Sequence, residues 1–305
     1  MAQSTDPYDL ILFGGRRDPN IVRLCETAAR LNVSCLLIMH DEQHEPAVTW
    51  DFSAQEFRID GRCVSARSAF LRYDVFSSSN QSPAELDRAY GWFTTVFGAC
   101  AATPDMRVAN ARMDMRASHK AFMLAFAQSH GIAIPDTRIT NEENQLDAFC
   151  EDRERIAKPV AGGAYCIQAS EARGMTDWHE GKAPIPAIVQ DRLVYPEYRV
   201  FRFGEGFMTF EITSDHLDYR PHRDTQIKPV GNDVLGDGVI ERLKTMTDRL
   251  SIDFFACDFK THADTGVPLF LELNSGPMFA AYDAAADLQL SEGMVHWLTA
   301  PGAQA

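Results

Sequence analysis

Three oxygen-bearing side chains near the C-terminus have the types and the spacing of a site for a hard metal cation. Two of them, Glu272 and Asn274, lie two residues apart in an apolar run. They therefore share one face of a predicted strand, about 7 Å apart. The same alternation predicts an apolar face with Leu269, Leu271 and Leu273, and an opposite face with Phe270, Glu272 and Asn274.

A second predicted strand, residues 252–260, carries the third oxygen ligand, Asp258, on the same face as Lys260. The turn sequence Asp264-Thr265-Gly266 separates the two strands, so we expect an antiparallel pair. That pairing would place Asp258, Glu272 and Asn274 on one surface. An all-oxygen set without sulfur or histidine favours magnesium held together with phosphate oxygens. A solvated strand face with ordinary acids is the alternative.

A lysine at the end of another predicted strand is a candidate for phosphate binding. Lys158 precedes Pro159 and is followed by Gly162 and Gly163, whose flexible backbone would let amide groups approach phosphate oxygens. This is not the G-x-x-x-x-G-K-[ST] loop, because here the lysine comes before the glycines. Lys120, on a predicted helix, is on its own better explained as a solvated surface lysine.

A basic stretch precedes the carboxylate strands in an otherwise acidic chain. It contains Arg220 and, eight residues later, Lys228. Guanidinium groups match carboxylates and phosphates, so the stretch could bind an anionic substrate. A solvated loop is the alternative.

The amino-acid composition of the chain limits the kinds of molecule that it could bind. The chain has 305 residues, 45% of them hydrophobic, and a formal net charge of −14. Such acidity argues against nucleic acid and against an anionic membrane surface, though not against a nucleotide in one basic cleft. An odd number of cysteines, seven, without a Cys-x-x-Cys pair indicates reduced thiols and a cytoplasmic location. We find no signal peptide and no apolar run of membrane-spanning length.

The N-terminal third predicts a Rossmann-like sheet. An apolar strand at residues 8–13, a helix that begins at Asp18 and Pro19, and a second strand at 33–39 form a strand-helix-strand unit. Gly14-Gly15 is not the G-x-G-x-x-G fingerprint, which disfavours a Rossmann dehydrogenase. We place the first domain boundary near residue 110.

Taken in order, these segments resemble the ATP-grasp ligases over residues from about 105 to 298. The ordered set is Lys120, Ile134-Pro-Asp-Thr137, Lys158-Pro159, Val189-Gln-Asp191, Glu197-Tyr-Arg-Val200, Asp258 and Glu272-Leu-Asn274. Asp218-Tyr219-Arg220 and the chain length look most like the ribosomal-protein glutamate ligases and the graspetide (microviridin-type) peptide cyclases. There are departures: Asp191 replaces the usual glutamate, and Ala164-Tyr165 stand where further glycines are common.

The resemblance implies a fold and a role for each matching residue. The fold would be α/β (α+β): an N-terminal Rossmann-like pre-ATP-grasp domain (1–110) and two ATP-grasp subdomains (111–192 and 193–305). The phosphates of the nucleotide would be bound by Lys120, Lys158 and Arg199. The adenine pocket would be lined by Gln190, Asp191 and the backbone to Leu193, and the ribose hydroxyls would be bound by Glu197. Magnesium, or manganese in its place, would be held by Asp258, Glu272 and Asn274. Catalytic contacts to the acyl phosphate or the substrate would come from Arg220 and Lys228.

The implied activity is ATP-dependent ligation. A carboxylate would be activated as an acyl phosphate and joined to an amine or hydroxyl of an amino acid or a peptide. The alternatives are a graspetide-type peptide macrocyclase and a nucleotide-binding scaffold with a decayed site. The oligomeric state stays open, a homodimer included.

Overall fold

The computed structural model describes residues 8–40, 46–73, 82–161, 165–216 and 224–301. The strands are β1 (Tyr8–Gly14), β2 (Cys35–Met39), β3 (Val48–Asp51), β4 (Glu56–Ile59), β5 (Arg62–Cys63), β6 (Ala66–Leu71), β7 (Arg107–Val108), β8 (Thr137–Glu142), β9 (Arg155–Pro159), β10 (Ile167–Gln168), β11 (Lys182–Asp191), β12 (Val194–Phe203), β13 (Gly206–Thr213), β14 (Gln226–Val230), β15 (Phe254–Thr261) and β16 (Pro268–Asn274). The α-helices are α1 (Pro19–Arg30), α2 (Pro83–Ala102), α3 (Lys120–Ser129), α4 (Glu143–Cys150), α5 (Ala169–Met175), α6 (Val239–Asp248), α7 (Ala280–Ala285) and α8 (Gln289–Thr299).

The chain divides into two compact units, Met1–Ala111 with Met278–Ala305, and Arg112–Pro277. The first unit is built on a parallel sheet in the order β2-β1-β6-β7. Its helix α1 begins as the sequence predicts: Asp18 accepts a hydrogen bond from the backbone of Asn20, and proline occupies the first turn. The Rossmann-like strand-helix-strand prediction is confirmed.

The C-terminal helices belong to the first unit, whereas the sequence analysis grouped them with the carboxylate strands. The fully buried Asp283 side chain explains this placement. Its carboxylate accepts hydrogen bonds from Arg23 of α1 (2.9 Å) and from the backbone of Ser291 (2.7 Å). The Ser291 hydroxyl in turn lies 2.8 Å from that of Thr27. These buried polar contacts hold α7 and α8 against α1.

The second unit contains two antiparallel sheets, of which the smaller has the order β10-β9-β11-β8. Its register pairs Lys158 with Ile188 and Ile156 with Gln190. Directly paired residues share a face, so Lys158 and Gln190 point to the same side of this sheet. The opposite side packs on α4 and α5 through a cluster that includes Val189.

The larger sheet of the second unit has the order β14-β13-β12-β15-β16. Its inner face, with Tyr198, Val200, Cys257 and Phe259, buries a core against α3 and α6. Since successive side chains alternate, the polar residues of β12 and β15 must lie on the outer face.

A β-bulge in β16 corrects one prediction for the carboxylate strands. The register shifts between the pairs Asp258–Glu272 and Phe259–Phe270, so Leu271 has no direct partner in β15. Phe270 therefore faces the core together with Leu273, not the polar side with Glu272. Glu272 and Asn274 keep the face that simple alternation assigned to them.

Within the described part of the chain, none of the helices has the length and apolarity that a membrane crossing requires.

Candidate active site

One row across the larger sheet brings together charged residues from three strands. The register sets Arg199 of β12 opposite Asp258 of β15, and Asp258 opposite Glu272 of β16. One step along, Asn274 pairs with Ala256. Because paired residues share a face, the three predicted metal ligands lie on one surface of adjacent strands.

Asp258 is held by a two-pronged contact with Arg199. Arg199 Nε donates to Oδ1 at 2.7 Å and Nη2 donates to Oδ2 at 2.8 Å. Both side chains are largely buried, 8% exposed for Asp258 and 13% for Arg199. This planar fork fixes the orientation of both groups on the site face.

Two lysines approach the carboxylates from outside the larger sheet. Lys120, the first residue of α3, places its Nζ 3.2 Å from Glu272 Oε2. Lys158 is half-buried, and burial lowers the pKa of its ammonium group, while the neighbouring Glu272 raises it in opposition. The charge of Lys120 also lowers the pKa of Lys158, and the charge of Asp258 raises it. The structure thus gathers both predicted phosphate lysines around the predicted metal ligands.

A second ion pair lies on the same face toward the start of β12. Lys260 Nζ is 3.3 Å from Glu197 Oε2 and 3.9 Å from the centre of the Tyr195 ring. Burial, and after it the Asp258 charge, raise the pKa of Glu197 to about 7, although Lys260 and Arg199 act to lower it. The sequence analysis did not assign Lys260 a role, although its shared face with Asp258 was visible in the alternation.

Gln190 presents a buried acceptor that no described residue satisfies. Its Nε2 donates to the Thr137 hydroxyl at 2.8 Å, and that hydroxyl donates to the Pro135 carbonyl at 2.6 Å. This chain of donors fixes which end of the amide is oxygen. The Oε1 atom is buried and has no hydrogen-bond partner within the described ranges, an arrangement that costs about 1–3 kcal/mol. An amino group on a ligand would fit this oxygen.

Asp191 differs from its neighbour, because its side chain points to the other face of the smaller sheet. Its carboxylate forms a buried ion pair with Arg155, and Arg153 lies 3.6 Å away. The Arg155 guanidinium also lies over the Phe149 ring, 3.8 Å from its centre. The carboxylate is therefore engaged in structure, and only the backbone of Asp191 is left to line the predicted adenine pocket.

Arg155→Ala is expected to lower the free energy of unfolding by about 3 kcal/mol, because it leaves the Asp191 carboxylate buried without its main partner. Urea unfolding measures this change. Arg138→Ala is the matched control, since Arg138 stacks over the same Phe149 ring at 4.3 Å but is exposed. A control loss below about 1 kcal/mol is expected. Equal losses in the two variants would contradict a special role for the buried pair.

A cavity of about 580 Å³ opens where the two sheets of this unit are joined, around the buried Leu193. Its walls include Asp191, Tyr195 and Lys260. None of the metal or phosphate candidates of the preceding paragraphs lines it. The cavity therefore belongs to the strand-connection end of the site, which we call the hinge (residues 191–194).

Of the two residues predicted to be catalytic, only Lys228 is among the described residues, and it lies away from the site. Lys228 pairs with Glu211, which pairs with the core residue Tyr198, so all three lie on the face opposite Asp258. Its side chain is 65% exposed and forms an ion pair with Glu211 at 2.8 Å. The register of β14 decides this orientation. Arg220, like Gly162 and Gly163, lies outside the described residues.

The donor set fits magnesium bound together with a phosphate ligand. In the described ranges no group of three or more His, Cys, Asp and Glu side chains could hold a metal by itself. Asp258 and Glu272 supply two carboxylates, and Asn274 adds an amide oxygen. Magnesium is commonly held by one or two carboxylates together with substrate phosphates, which matches this set.

Comparison with known proteins places the fold. No protein-family model and no curated protein sequence matches the chain. The ATP-grasp ligase PsnB, complexed with a phosphomimetic variant of minimal precursor, Mg and ADP, is similar with a TM-score of 0.74 at 20% identity, covering 96% of this chain and 98% of that chain.

Two further solved structures extend the comparison. Macrocyclase MdnC from Microcystis aeruginosa MRC, bound with precursor peptide MdnA, gives a TM-score of 0.71 at 16% identity, covering 95% of this chain and 99% of that chain. The VanG D-Ala:D-Ser ligase from Enterococcus faecalis gives 0.59 at 13% identity, with 96% and 98% covered. The fold predicted from the resemblance is thereby confirmed: the chain has the ATP-grasp fold.

Proposed function

We propose that this protein is an ATP-dependent ligase that activates a carboxylate as an acyl phosphate and joins it to an amine or hydroxyl. One observation carries the proposal: the row Arg199–Asp258–Glu272–Lys120 interacts electrostatically with the half-buried Lys158. Cations and oxygen ligands interleaved in this way are what a magnesium-bound triphosphate requires.

The nucleotide roles follow from where each side chain lies. Lys120, Lys158 and Arg199 would bind phosphate oxygens. The buried Oε1 of Gln190 would accept a hydrogen bond from the adenine amino group, and Glu197 would accept hydrogen bonds from the ribose hydroxyls. Gln190 and Lys158 share one face of the smaller sheet, which supports a nucleotide extended along that face.

Asp258, Glu272 and Asn274 would hold magnesium or manganese, which supplies positive charge at the phosphate oxygens. The Arg199 fork would keep Asp258 turned toward that position. Lys120 and Lys158 would orient the terminal phosphate in line with the carboxylate. No protein nucleophile is needed, because phosphorylation already turns the carboxylate oxygen into a phosphate leaving group.

We favour a peptide as the substrate. Solved structures similar over nearly the whole chain include two enzymes bound with precursor peptides, PsnB and MdnC. An amino acid is the alternative, in line with the lower similarity to a D-Ala:D-Ser ligase. Arg220 is proposed to contact the acyl phosphate or the substrate carboxylate. The seven cysteines, all of them among the described residues, form no disulfide, in keeping with a proposed cytoplasmic location.

Trapping the activated carboxylate tests the proposal. The protein would be incubated with ATP, magnesium, a panel of Asp- and Glu-containing peptides and free amino acids, and hydroxylamine. We expect phosphate release together with a hydroxamate on the activated carboxyl group. Neither phosphate release nor hydroxamate with any carboxylate of the panel would argue against a ligase.

Nucleotide affinity is expected to fall as the pH is lowered through 7. Glu197 has a pKa raised to about 7, and only its carboxylate form accepts two hydroxyl hydrogen bonds. If that form alone binds, the Kd rises by about tenfold from pH 8 to pH 6. The same raised pKa means that the folded state holds a proton that the unfolded state loses, so this group lowers stability as pH rises from about 4.5 to 7.

Calorimetric titration with an ATP analogue at several pH values checks the prediction for Glu197. Glu197→Gln is the control, because it cannot ionise while the nucleotide itself titrates unchanged. The ratio of the wild-type Kd to the variant Kd should therefore show the pH dependence that comes from Glu197. Identical pH profiles would remove Glu197 from the ribose site.

A further inference from the structure

Lys260 is a buried charge on the site face that the phosphate and metal roles do not use. It lies two residues along β15 from Asp258 and directly opposite Glu197 of β12. Its side chain is only 9% exposed and that of Glu197 10%. Removing two charges from water is costly, and a buried pair is not by itself a gain in stability. Its position is therefore worth explaining.

The geometry shows that Lys260 holds Glu197 from one side. Its Nζ lies 3.3 Å from Oε2 of Glu197 and 3.9 Å from the Tyr195 ring centre. The ring face attracts the ammonium group and restricts where it can sit. One oxygen of the Glu197 carboxylate, Oε2, is thus committed to the lysine.

The cavity at the hinge gives Lys260 a ligand-facing position, whereas Glu197 does not line it. Both Lys260 and Tyr195 line the cavity of about 580 Å³, next to Leu193. A nucleoside placed at the hinge would meet this wall.

We propose that Lys260, supported by Tyr195, is a positioning residue that makes the site specific for ribonucleotides. It would do so by holding Glu197 as an oriented carboxylate that accepts hydrogen bonds from the two neighbouring ribose hydroxyls. A 2′-deoxynucleotide would leave that carboxylate without one donor. This inference rests on the proposed nucleotide function of the site.

Calorimetric titration with a non-hydrolysable ATP analogue and with its 2′-deoxy form tests the inference, both with magnesium. A hydrogen bond to a charged group contributes enough that wild type should prefer the ribonucleotide by about 10- to 100-fold. Lys260→Met should reduce this preference to about twofold. Lys260→Arg should restore most of it, since a guanidinium keeps the charge and stacks on the ring.

Two controls separate positioning from stability. Lys244→Met removes another lysine–carboxylate pair, that with Asp248 on α6 at 2.7 Å, and should leave the preference at the wild-type value. Glu197→Gln with Lys260→Met leaves no buried charge behind, so it keeps the test valid if the single variant fails to fold. This double variant should also lose the preference.

The outcomes are distinct. A full preference retained in Lys260→Met, or in the double variant, would overturn the positioning role while leaving the proposed function intact. Equal binding of the ribonucleotide and the 2′-deoxynucleotide by the wild type would also overturn the positioning role and leave the proposed function intact. Binding of neither nucleotide to wild type would overturn the proposed function and the ribose role with it.

Discussion

Glu272→Gln is expected to lower the ATP-dependent turnover by about 100-fold or more, because it removes one of two carboxylates that would hold magnesium at the phosphates. Folding should be preserved. The Glu272 and Lys120 side chains are 21% and 23% exposed, and such partly exposed pairs contribute little to stability. Phosphate release measures the first expectation and urea unfolding the second.

Glu211→Gln is the matched control for this prediction. Glu211 lies in the same sheet and also pairs with a lysine, at 2.8 Å, but on the opposite face. Its turnover should stay within about twofold of wild type. Full activity in Glu272→Gln, or an equal loss in both variants, would show that the carboxylate row is not the metal site.

Lys158→Met should weaken binding of an ATP analogue by about 10- to 100-fold. The side chain is half-buried, and burial lowers the pKa of its ammonium group, so an anionic phosphate would gain more from it than from an exposed lysine. Methionine keeps most of the volume and removes the partly buried charge. The free energy of unfolding should therefore stay the same or rise. Calorimetry and urea unfolding check the two parts.

Lys182→Met on the neighbouring strand β11 provides the comparison, since its side chain is exposed. It should bind the nucleotide like wild type. If Lys158→Met also binds like wild type, Lys158 is not at the phosphate site. If it binds weakly but is also strongly destabilised, the loss reflects folding, and Lys158→Arg, which keeps the charge, should then bind.

The alternation of side chains along the strands was sufficient to predict which of the proposed site residues share a face. Glu197 and Arg199 in β12, Asp258 in β15, and Glu272 and Asn274 in β16 do share one face, as their spacing indicates. This works because a strand has a period of two that neighbouring strands must match. The roles assigned to these residues are still predictions.

Features that depend on the register between strands could not be predicted from the sequence. The bulge in β16 turned Phe270 into the core, and the register of β14 placed Lys228 on the far face. One inserted residue, or a shift of one pair, moves a side chain to the other side of a sheet. No local pattern in these short strands marks either event.

Long-range partners were likewise invisible in the sequence. Asp191 was expected in the adenine pocket, but its carboxylate meets Arg155 from a neighbouring strand. The packing of α8 on α1 joins residues more than 250 positions apart, such as Thr27 and Ser291. Local spacing predicts faces and caps, whereas such partners depend on the tertiary fold.

Titration of the wild-type protein with a non-hydrolysable ATP analogue, with and without magnesium, tests the central claim most directly. We predict binding that strengthens by about tenfold or more when magnesium is present, since Asp258, Glu272 and Asn274 would share the metal with the phosphates. NADH, run alongside, should not bind. Absence of nucleotide binding, or binding that magnesium leaves unchanged, would contradict the assignment of this face as a magnesium–nucleotide site.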